Sequence, residues 1–157
     1  MVTMIAILDN LRSVHNVGSI FRTADAAGVE KIYLCGITPE PTDRFGRPLG
    51  QFVKVSLGAE KSVKWEKVKS TNKLTDRLKK EGYKIWVVEQ SKKSVLYNKL
   101  KVNKLKVALV FGNEIKGVSS AILKQADKIL EIPMAGKKES LNVSVAFGIV
   151  VFGLLYK

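Results

Sequence analysis

Five short apolar segments alternate with helix-like segments along the chain, and this alternation constrains the fold more than any other feature. The predicted strands cover residues 4–8, 31–35, 84–89, 105–111 and 128–132. Most of them are apolar on both faces, which is typical of a parallel sheet buried between two layers of helices. The sequence therefore predicts an α/β fold with a parallel sheet and helices on both faces.

The segments between these strands carry helical signals. After the first strand, apolar residues recur at helical spacing, with Asn16 as a plausible N-cap and Gly28 as the stop. A weaker helix is predicted within residues 50–58, and further helices over residues 71–81, 118–126 and 141–156. Ser70 or Thr71 can cap the second of these, and Ser140 can cap the last.

Length and charge narrow the class of protein. The chain has 157 residues, which we expect to form one domain over residues 1–157 without an extension domain at either end. Its net charge of +13 favours a polyanionic partner, with nucleic acid first. A single cysteine, Cys35, can form neither an intramolecular disulfide nor a thiolate cluster, so we expect no metal and a reducing, cytoplasmic setting. The apolar stretch 143–156 is too short to span a membrane, and we expect no membrane partner.

Positive charge is concentrated in the middle of the chain. Residues 54–106 carry 15 lysines and Arg77 against five acidic residues, and the rest of the chain has almost no net charge. A solvated lysine face is the ordinary interpretation, but such a one-sided segment also suits contact with phosphates, without sequence selectivity. Trp65 and Tyr97 lie in this segment and could stack on bases or pack in the core.

Three loops that follow strands carry polar and small residues. They cover residues 10–18, 112–117 and 132–142, and loops at the carboxyl ends of parallel strands converge on a crevice where ligands bind. The dinucleotide fingerprint is missing after the first strand, and Val118 stands where a phosphate loop needs lysine. The only histidine, His15, has no serine partner that would support a hydrolytic triad. Each polar residue has a structural explanation as a cap or turn residue, but together they predict a site.

The same loops resemble a known family. The resemblance rests on NLRSVHNVGSIFRTADAAGVEKIYLCG from Asn10, LVFGNEIKGVS from Leu109 and IPMAGKKESLNVSVAFG from Ile132. These segments are similar to the three motifs of the SpoU (TrmH-like) branch of the SPOUT RNA methyltransferases, in the same order and at similar spacing. The resemblance covers nearly the whole chain.

The resemblance implies an α/β knot, in which the carboxyl-terminal segment forms a deep trefoil, and S-adenosylmethionine bound bent in the knotted loops. Ordinary connection rules argue against a knot, so only the resemblance predicts it. It also implies a homodimer. The helix predicted over residues 141–156 supports a dimer through the carboxyl-terminal helix because it is apolar all round and needs cover on both faces. A helix buried within one subunit is the alternative.

The implied reaction is S-adenosylmethionine-dependent methylation of a ribose 2′-hydroxyl of RNA. By the resemblance, Arg22 acts at the reacting hydroxyl; because its pKa is too high for an ordinary base, gripping a phosphate and polarising the hydroxyl is the role we favour. Asn16 would hold Arg22 or the ribose in place, and Glu114 would fix the loop geometry. Ser140 and Asn142 would lie near cofactor and nucleophile, completing the predicted catalytic set.

The resemblance also assigns binding residues. The predicted cofactor contacts are Val88, Gly112, Ile132, Ser140 and Leu141. The predicted RNA contacts are Arg12, His15 and Arg22. Because no extension domain is expected, tRNA is a better candidate substrate than ribosomal RNA. The alternatives are a non-catalytic RNA-binding protein of the same fold, which should lack residues such as Arg22, and a SPOUT enzyme that methylates a base nitrogen, whose loops differ.

Overall fold

Seven strands form one sheet in the computed structural model, which describes residues 2–157. The strands are β1 Thr3–Asp9, β2 Lys31–Cys35, β3 Lys64–Val68, β4 Lys84–Val88, β5 Val95–Leu96, β6 Lys106–Gly112 and β7 Lys128–Glu131. Their order across the sheet is β3-β2-β1-β6-β4-β7-β5, and every neighbouring pair runs parallel. The α/β class with a parallel sheet is therefore confirmed.

Helices cover both faces of this sheet. They are α1 Val14–Ala27, α2 Gly50–Ser56, α3 Ala59–Ser62, α4 Thr71–Lys80, α5 Ser120–Gln125 and α6 Val143–Leu155, with a 3-10 turn at Tyr97–Lys99. Alternate residues of β1 point to two separate cores, as the pleat requires. Met4, Ala6 and Leu8 pack with α1, α2 and α6, whereas Ile5 and Ile7 pack with α4 and α5.

The five predicted strands are present, and two more were missed. β3 reads KWEKV and is at best half-buried because it lies at the sheet edge, so it lacks the apolar signal of the central strands. β5 has only two residues. The predicted helices are also present, but the trefoil knot stays a prediction from the family resemblance.

Two predicted helix caps were wrong. The Oγ of Ser13 accepts a hydrogen bond from the backbone N–H of Asn16 and caps α1, so Asn16 lies inside the first turn, where its side chain is buried. At α6 the Oδ1 of Asn142 accepts from the N–H groups of Ser144 and Val145, which makes Asn142 the cap in place of Ser140. Both caps are side-chain acceptors placed one turn before the N–H that they satisfy.

The carboxyl ends of the central strands form one row. Asp9 pairs with Cys35 on one side and with Gly112 on the other, and Phe111 pairs with Val88. The loops that follow β1, β2, β4, β6 and β7 therefore leave the sheet at the same edge. Among residues 2–157, no helix is both long and apolar enough to cross a bilayer.

Candidate active site

A cleft of about 540 Å³ opens at this edge, between the loops after β4, β6 and β7 and the start of α6. Its volume lies within the range of about 300–1,000 Å³ that small-molecule sites occupy. Eight of the residues predicted from the sequence line it: Asn16, Val88, Gly112, Glu114, Ile132, Ser140, Leu141 and Asn142. The three polar loops thus converge in space, as parallel-sheet topology predicts.

A chain of hydrogen bonds connects the three loops at one end of the cleft. The Nδ2 of Asn16 donates to Oε2 of Glu114 at 3.2 Å, and the Oδ1 of Asn16 accepts from Nδ2 of Asn142 at 3.1 Å. The two hydrogen bonds fix the orientation of the Asn16 amide, and the residue is buried, with only 8% of its surface exposed. These hydrogen bonds join residues that are about a hundred positions apart in sequence and hold them in one geometry.

Glu114 ties the second loop to the residues at the start of α1. Its carboxylate accepts hydrogen bonds from the backbone N–H groups of Arg12 and Ser13, each at 2.9 Å, in addition to the bond from Asn16. Desolvation raises the pKa of this carboxyl, but the hydrogen bonds outweigh it and the pKa lies below its ordinary value. Glu114 is therefore ionised at neutral pH and acts as an acceptor, which matches the loop-fixing role predicted for it.

Gly112 allows the loop after β6, residues 112–117, to form a tight turn. A Cβ at this position would lie 2.5 Å from the backbone carbonyl carbon of Gly117 and 2.5 Å from the nitrogen of Val118. Gly117 has φ +69° and lies against the carboxylate of Glu89, whose Oε2 accepts from the N–H of Val118 at 3.1 Å. Every backbone N–H from Ile115 to Val118 donates a hydrogen bond within the protein, which fixes the shape of this turn at the cleft.

The cleft combines apolar walls with an acidic rim. Aliphatic side chains such as Val88, Leu130 and Ile132 supply the apolar part of its lining. Four glutamates line it against a single lysine: Glu89, Glu114, Glu131 and Glu139 against Lys116. In a chain of net charge +13 this local excess of carboxylates favours a cationic ligand with an apolar portion over a phosphate.

Arg12, His15 and Arg22 lie outside the cleft. All three are exposed, and Arg22 has no ion pair or side-chain hydrogen bond with another residue of the described 2–157 segment. Arg22 follows Asn16 by six residues, which corresponds to roughly 240° around the helix. Its side chain therefore leaves α1 in a different direction from Asn16, and the single chain does not bring it to the cleft.

The lysines of residues 54–106 do not form one patch. Lys73, Lys79 and Lys80 are exposed on α4, whereas others lie on β3 or around the 3-10 turn. β3 and β5 are the two edges of a seven-stranded sheet, roughly 29 Å apart at about 4.8 Å per strand. Trp65 and Tyr97 are half-buried against the core that the sheet forms with α1, α2 and α6. Both aromatic residues therefore pack in the core, as one of the two interpretations predicted.

The sequence analysis missed one residue that shapes the cleft, Glu89, and placed another, Asn113, in the predicted site without a role of its own. Glu89 was included in a strand but lies just beyond β4, where it buttresses the turn at Gly117. Asn113 was not given a role, but its Nδ2 donates to the carbonyl of Asn10 at 2.8 Å and its Oδ1 accepts from the N–H of Ile115 and Lys116. Its place directly after Gly112 in the FGNE motif was the available signal.

The chain is similar to known RNA 2′-O-methyltransferases over nearly its whole length. The chain is 37% identical over 153 residues to the tRNA (guanosine(18)-2′-O)-methyltransferase of Aquifex aeolicus, covering 95% of this chain and 67% of that protein. It is 36% identical over 148 residues to the 23S rRNA (guanosine-2′-O-)-methyltransferase RlmB of Escherichia coli K12, covering 93% and 57%. The curated relatives are longer, and the chain spans between 57% and 67% of their length.

Solved structures share the fold. The crystal structure of the A. aeolicus TrmH/SpoU tRNA modifying enzyme matches with a TM-score of 0.82 at 35% identity, over 96% of this chain and 72% of that one. The AdoMet-bound rRNA methyltransferase from Sinorhizobium meliloti matches with a TM-score of 0.84 at 30% identity, over 96% and 55%. The model of the SpoU rRNA Methylase family covers residues 3–152, which include all three motifs and every loop of the cleft, and the chain belongs to that family.

Proposed function

We propose that this protein transfers a methyl group from S-adenosylmethionine to a ribose 2′-hydroxyl of RNA. The observation that carries the proposal is the cleft itself, in which the three family motifs meet through the bonded chain Glu114–Asn16–Asn142 beside an acidic, partly apolar pocket. Relatives that are 36–37% identical are named as tRNA and 23S rRNA guanosine 2′-O-methyltransferases.

The residues of the cleft fit S-adenosylmethionine. This cofactor carries a positive sulfonium, an ammonium and an apolar-faced adenine, and the pocket supplies glutamates together with the aliphatic side chains of Val88, Ile132 and Leu141. When bound, the cofactor supplies an electrophilic methyl group, and a sulfur that becomes neutral as the methyl group leaves.

The protein's task is then to position the hydroxyl and assist loss of its proton. We assign the orientation of the ribose to Asn16 and Asn142, whose amides are held by each other and by Glu114. Ser140 lies at the mouth of the cleft and is exposed, where it can contact the incoming nucleotide. Arg22 grips the adjacent phosphate and polarises the hydroxyl, since a guanidinium remains charged at neutral pH. A phosphate oxygen of the RNA or a water molecule takes the proton that the hydroxyl loses as its oxygen accepts the methyl group.

A second copy of the chain completes the site in this proposal. One face of α6 is buried in the core, but Val145 is 50% and Phe152 is 41% exposed on the outer face. α6 packs beside α1, where Gly148 lies against the Thr23 side chain next to Arg22. A homodimer that covers the outer face of α6 therefore also covers the surface that carries Arg22, and we propose that Arg22 serves the cleft of the partner copy.

RNA is the proposed macromolecular partner, with Arg12 and His15 at the rim of the site and tRNA as the substrate to test first. The net charge of +13 and the exposed lysines of α4 suit a phosphate backbone. We also propose a cytoplasmic location, where RNA and S-adenosylmethionine are both present.

A methyl-transfer assay tests the proposal. Purified protein is incubated with tritium-labelled S-adenosylmethionine and either total tRNA or 23S rRNA from cells that lack the protein. We expect label in one RNA class, at a nucleotide whose 3′-phosphodiester bond resists alkaline cleavage because its 2′-oxygen is methylated. Labelling of a base would contradict the proposal and favour an enzyme that methylates a base nitrogen. Labelling of neither RNA, despite full binding of the cofactor, would contradict it and favour a non-catalytic RNA-binding protein.

A further inference from the structure

A small structured loop stands apart from the cleft at the same edge of the sheet. The loop, residues 42–48, follows β2 and is closed by a bridge between Thr42 and Pro48. Asp43 organises it from within: Oδ1 accepts from the backbone N–H groups of Phe45 and Arg47, at 2.8 and 3.0 Å, and Oδ2 accepts from Nε of Arg47 at 3.0 Å. Two backbone hydrogen bonds, from the N–H of Asp43 to the carbonyl of Arg47 and from the N–H of Gly46 to the carbonyl of Asp43, complete a loop of defined shape.

The loop presents an aromatic ring to solvent. Phe45 is 66% exposed, and the guanidinium carbons of Arg44 and Arg47 lie 4.8 and 5.0 Å from the centre of its ring. Arg47 is paired with Asp43, whereas Arg44 makes no ion pair with any residue in the described 2–157 segment. The tip is thus an exposed aromatic ring in cation–π contact with two guanidinium groups, and it carries a net positive charge.

The base of this loop is bonded to the segment that leads into α1. The N–H of Ile37 donates to Oδ1 of Asn10 at 3.0 Å, and the N–H of Leu11 donates to Oγ1 of Thr38 at 3.1 Å. The hydroxyl oxygen of Thr38 lies 2.8 Å from the carbonyl oxygens of both Leu8 and Cys35, and its O–H donates to them. Asn10 also accepts at its carbonyl from Asn113, a residue of the cleft, so the segment that leads from β2 to the Phe45 loop shares this support with the cleft.

We propose that Phe45 is a stacking platform for an unpaired base of the RNA substrate, with Arg44 and Arg47 contacting the flanking phosphates. This inference rests on the proposed function for the identity of the ligand. Proteins recognise single-stranded RNA by stacking splayed bases on aromatic rings and arginine planes. Neither Trp65 nor Tyr97 is free to do so, because both pack against the core.

The surroundings of Phe45 favour RNA over a protein partner. An apolar protein interface needs a contiguous hydrophobic patch. The loop instead surrounds one ring with two arginines, and a Cβ on the neighbouring Gly46 would meet nothing within 4 Å. An isolated ring with cationic neighbours matches a base and its phosphates better than it matches an apolar surface.

The test uses a fluorescent replacement of the ring. Phe45→Trp adds an exposed indole to a chain whose own tryptophans, Trp65 and Trp86, are half-buried and buried. Titration with a single-stranded oligoribonucleotide should quench the added emission, because a stacked base quenches indole. A blunt RNA duplex of the same length should leave it nearly unchanged, because its bases are not available.

Binding of the same single strand by the whole chain tests the energetic claim. Phe45→Ala should weaken binding roughly 5- to 150-fold, the range expected for one base–aromatic stack. Phe45→Leu should weaken it similarly, because leucine keeps apolar area but has no π-face. Ile37→Ala is the matched control: Ile37 is 63% exposed at the base of the same connection but is not aromatic, and its loss should have no effect.

Three results would overturn the proposal: equal quenching by the duplex, wild-type affinity in Phe45→Ala, or wild-type affinity in Phe45→Leu. The last would point to an apolar protein-type contact. The binding assay requires no methyl transfer, so it succeeds or fails independently of the proposed enzyme activity. Cofactor binding, measured separately, identifies a failure of the proposed function, while thermal melting verifies that each variant is folded.

Discussion

Replacement of Asn16 by aspartate should reverse the pH response of the site. In the wild-type chain the amide of Asn16 donates to Glu114 at 3.2 Å; in Asn16→Asp the donor is replaced by a carboxylate at the same distance. The Coulomb repulsion at this separation is about 1 kcal/mol at the dielectric constant of water and about 5 kcal/mol at an effective value of 20. Because Glu114 is exposed, we expect a cost in the lower part of that range, about 1–3 kcal/mol.

That cost should be visible in thermal unfolding. For a chain of this size about 1 kcal/mol lowers Tm by roughly 2–4 °C, so Asn16→Asp should lose roughly 2–12 °C at pH 7. Asn103→Asp is the matched control, since Asn103 is exposed and its side chain has no hydrogen bond to another described residue. The same chemical change there should alter Tm by less than about 2 °C.

The sign of the pH dependence separates repulsion from a simple loss of packing. In the wild type the depressed pKa of Glu114 contributes stability that is complete above its ordinary value of 4.5 and is lost as pH falls through the lower folded value. In Asn16→Asp the paired carboxylates have raised pKa values, so protonation relieves the destabilisation as pH falls from 7 towards 5. Differential scanning calorimetry of both proteins across this interval should show their Tm values converging. A constant difference, or a loss at pH 7 no larger than that of Asn103→Asp, would refute the reasoning.

Three further predictions concern the loop, the transfer step and the dimer. Gly112→Ala should lower Tm by roughly 2–12 °C and abolish cofactor binding, because the new Cβ would lie 2.5 Å from backbone atoms of the facing turn. In Gly50→Ala a Cβ meets nothing within 4 Å, so calorimetry should show the wild-type Tm and wild-type cofactor binding. Arg22→Ala should leave cofactor affinity within a few-fold but remove most methyl transfer, and retained turnover in the tritium assay would exclude the assigned role. Phe152→Asp should convert a dimer to a monomer in sedimentation velocity, because it places a charge on the exposed apolar face of α6, whereas an unchanged sedimentation coefficient would mean that another surface mediates association.

The central architecture was predictable because burial leaves a strong signal in sequence. β1 and β6 are almost entirely buried and read as continuous apolar runs. β3 has three charged residues among its five and lies at a half-buried edge, so it was missed; its pairing depends on β2 and not on its own composition.

The site was predictable in outline but not in its bonding. Parallel-sheet topology brings the three loops to one edge, and eight predicted residues do line one cleft there. The contacts between Glu114 and the start of α1 join residues 98–102 positions apart, and no local pattern encodes them. The six-residue spacing already placed Arg22 roughly 240° from Asn16 around the predicted helix, but spacing alone could not show that the side chain stays exposed outside the cleft.

The surface distribution of the lysines also could not be predicted from their positions in the sequence. Counting residues placed the positive charge in one stretch of sequence, but folding distributes those lysines over α4 and both edges of the sheet. Phe45, the one aromatic residue that is exposed beside two arginines, lies outside that stretch. Sequence proximity was therefore a poor guide to a shared surface.

Isothermal titration of S-adenosylmethionine into the pure protein tests the central claim most directly, because the claim is that the acidic cleft at the carboxyl edge of the sheet holds this cofactor. We predict saturable binding at one site per chain that is retained in Gly50→Ala and lost in Gly112→Ala. Absence of binding heat at every temperature tested, or equal binding by both glycine variants, would contradict it.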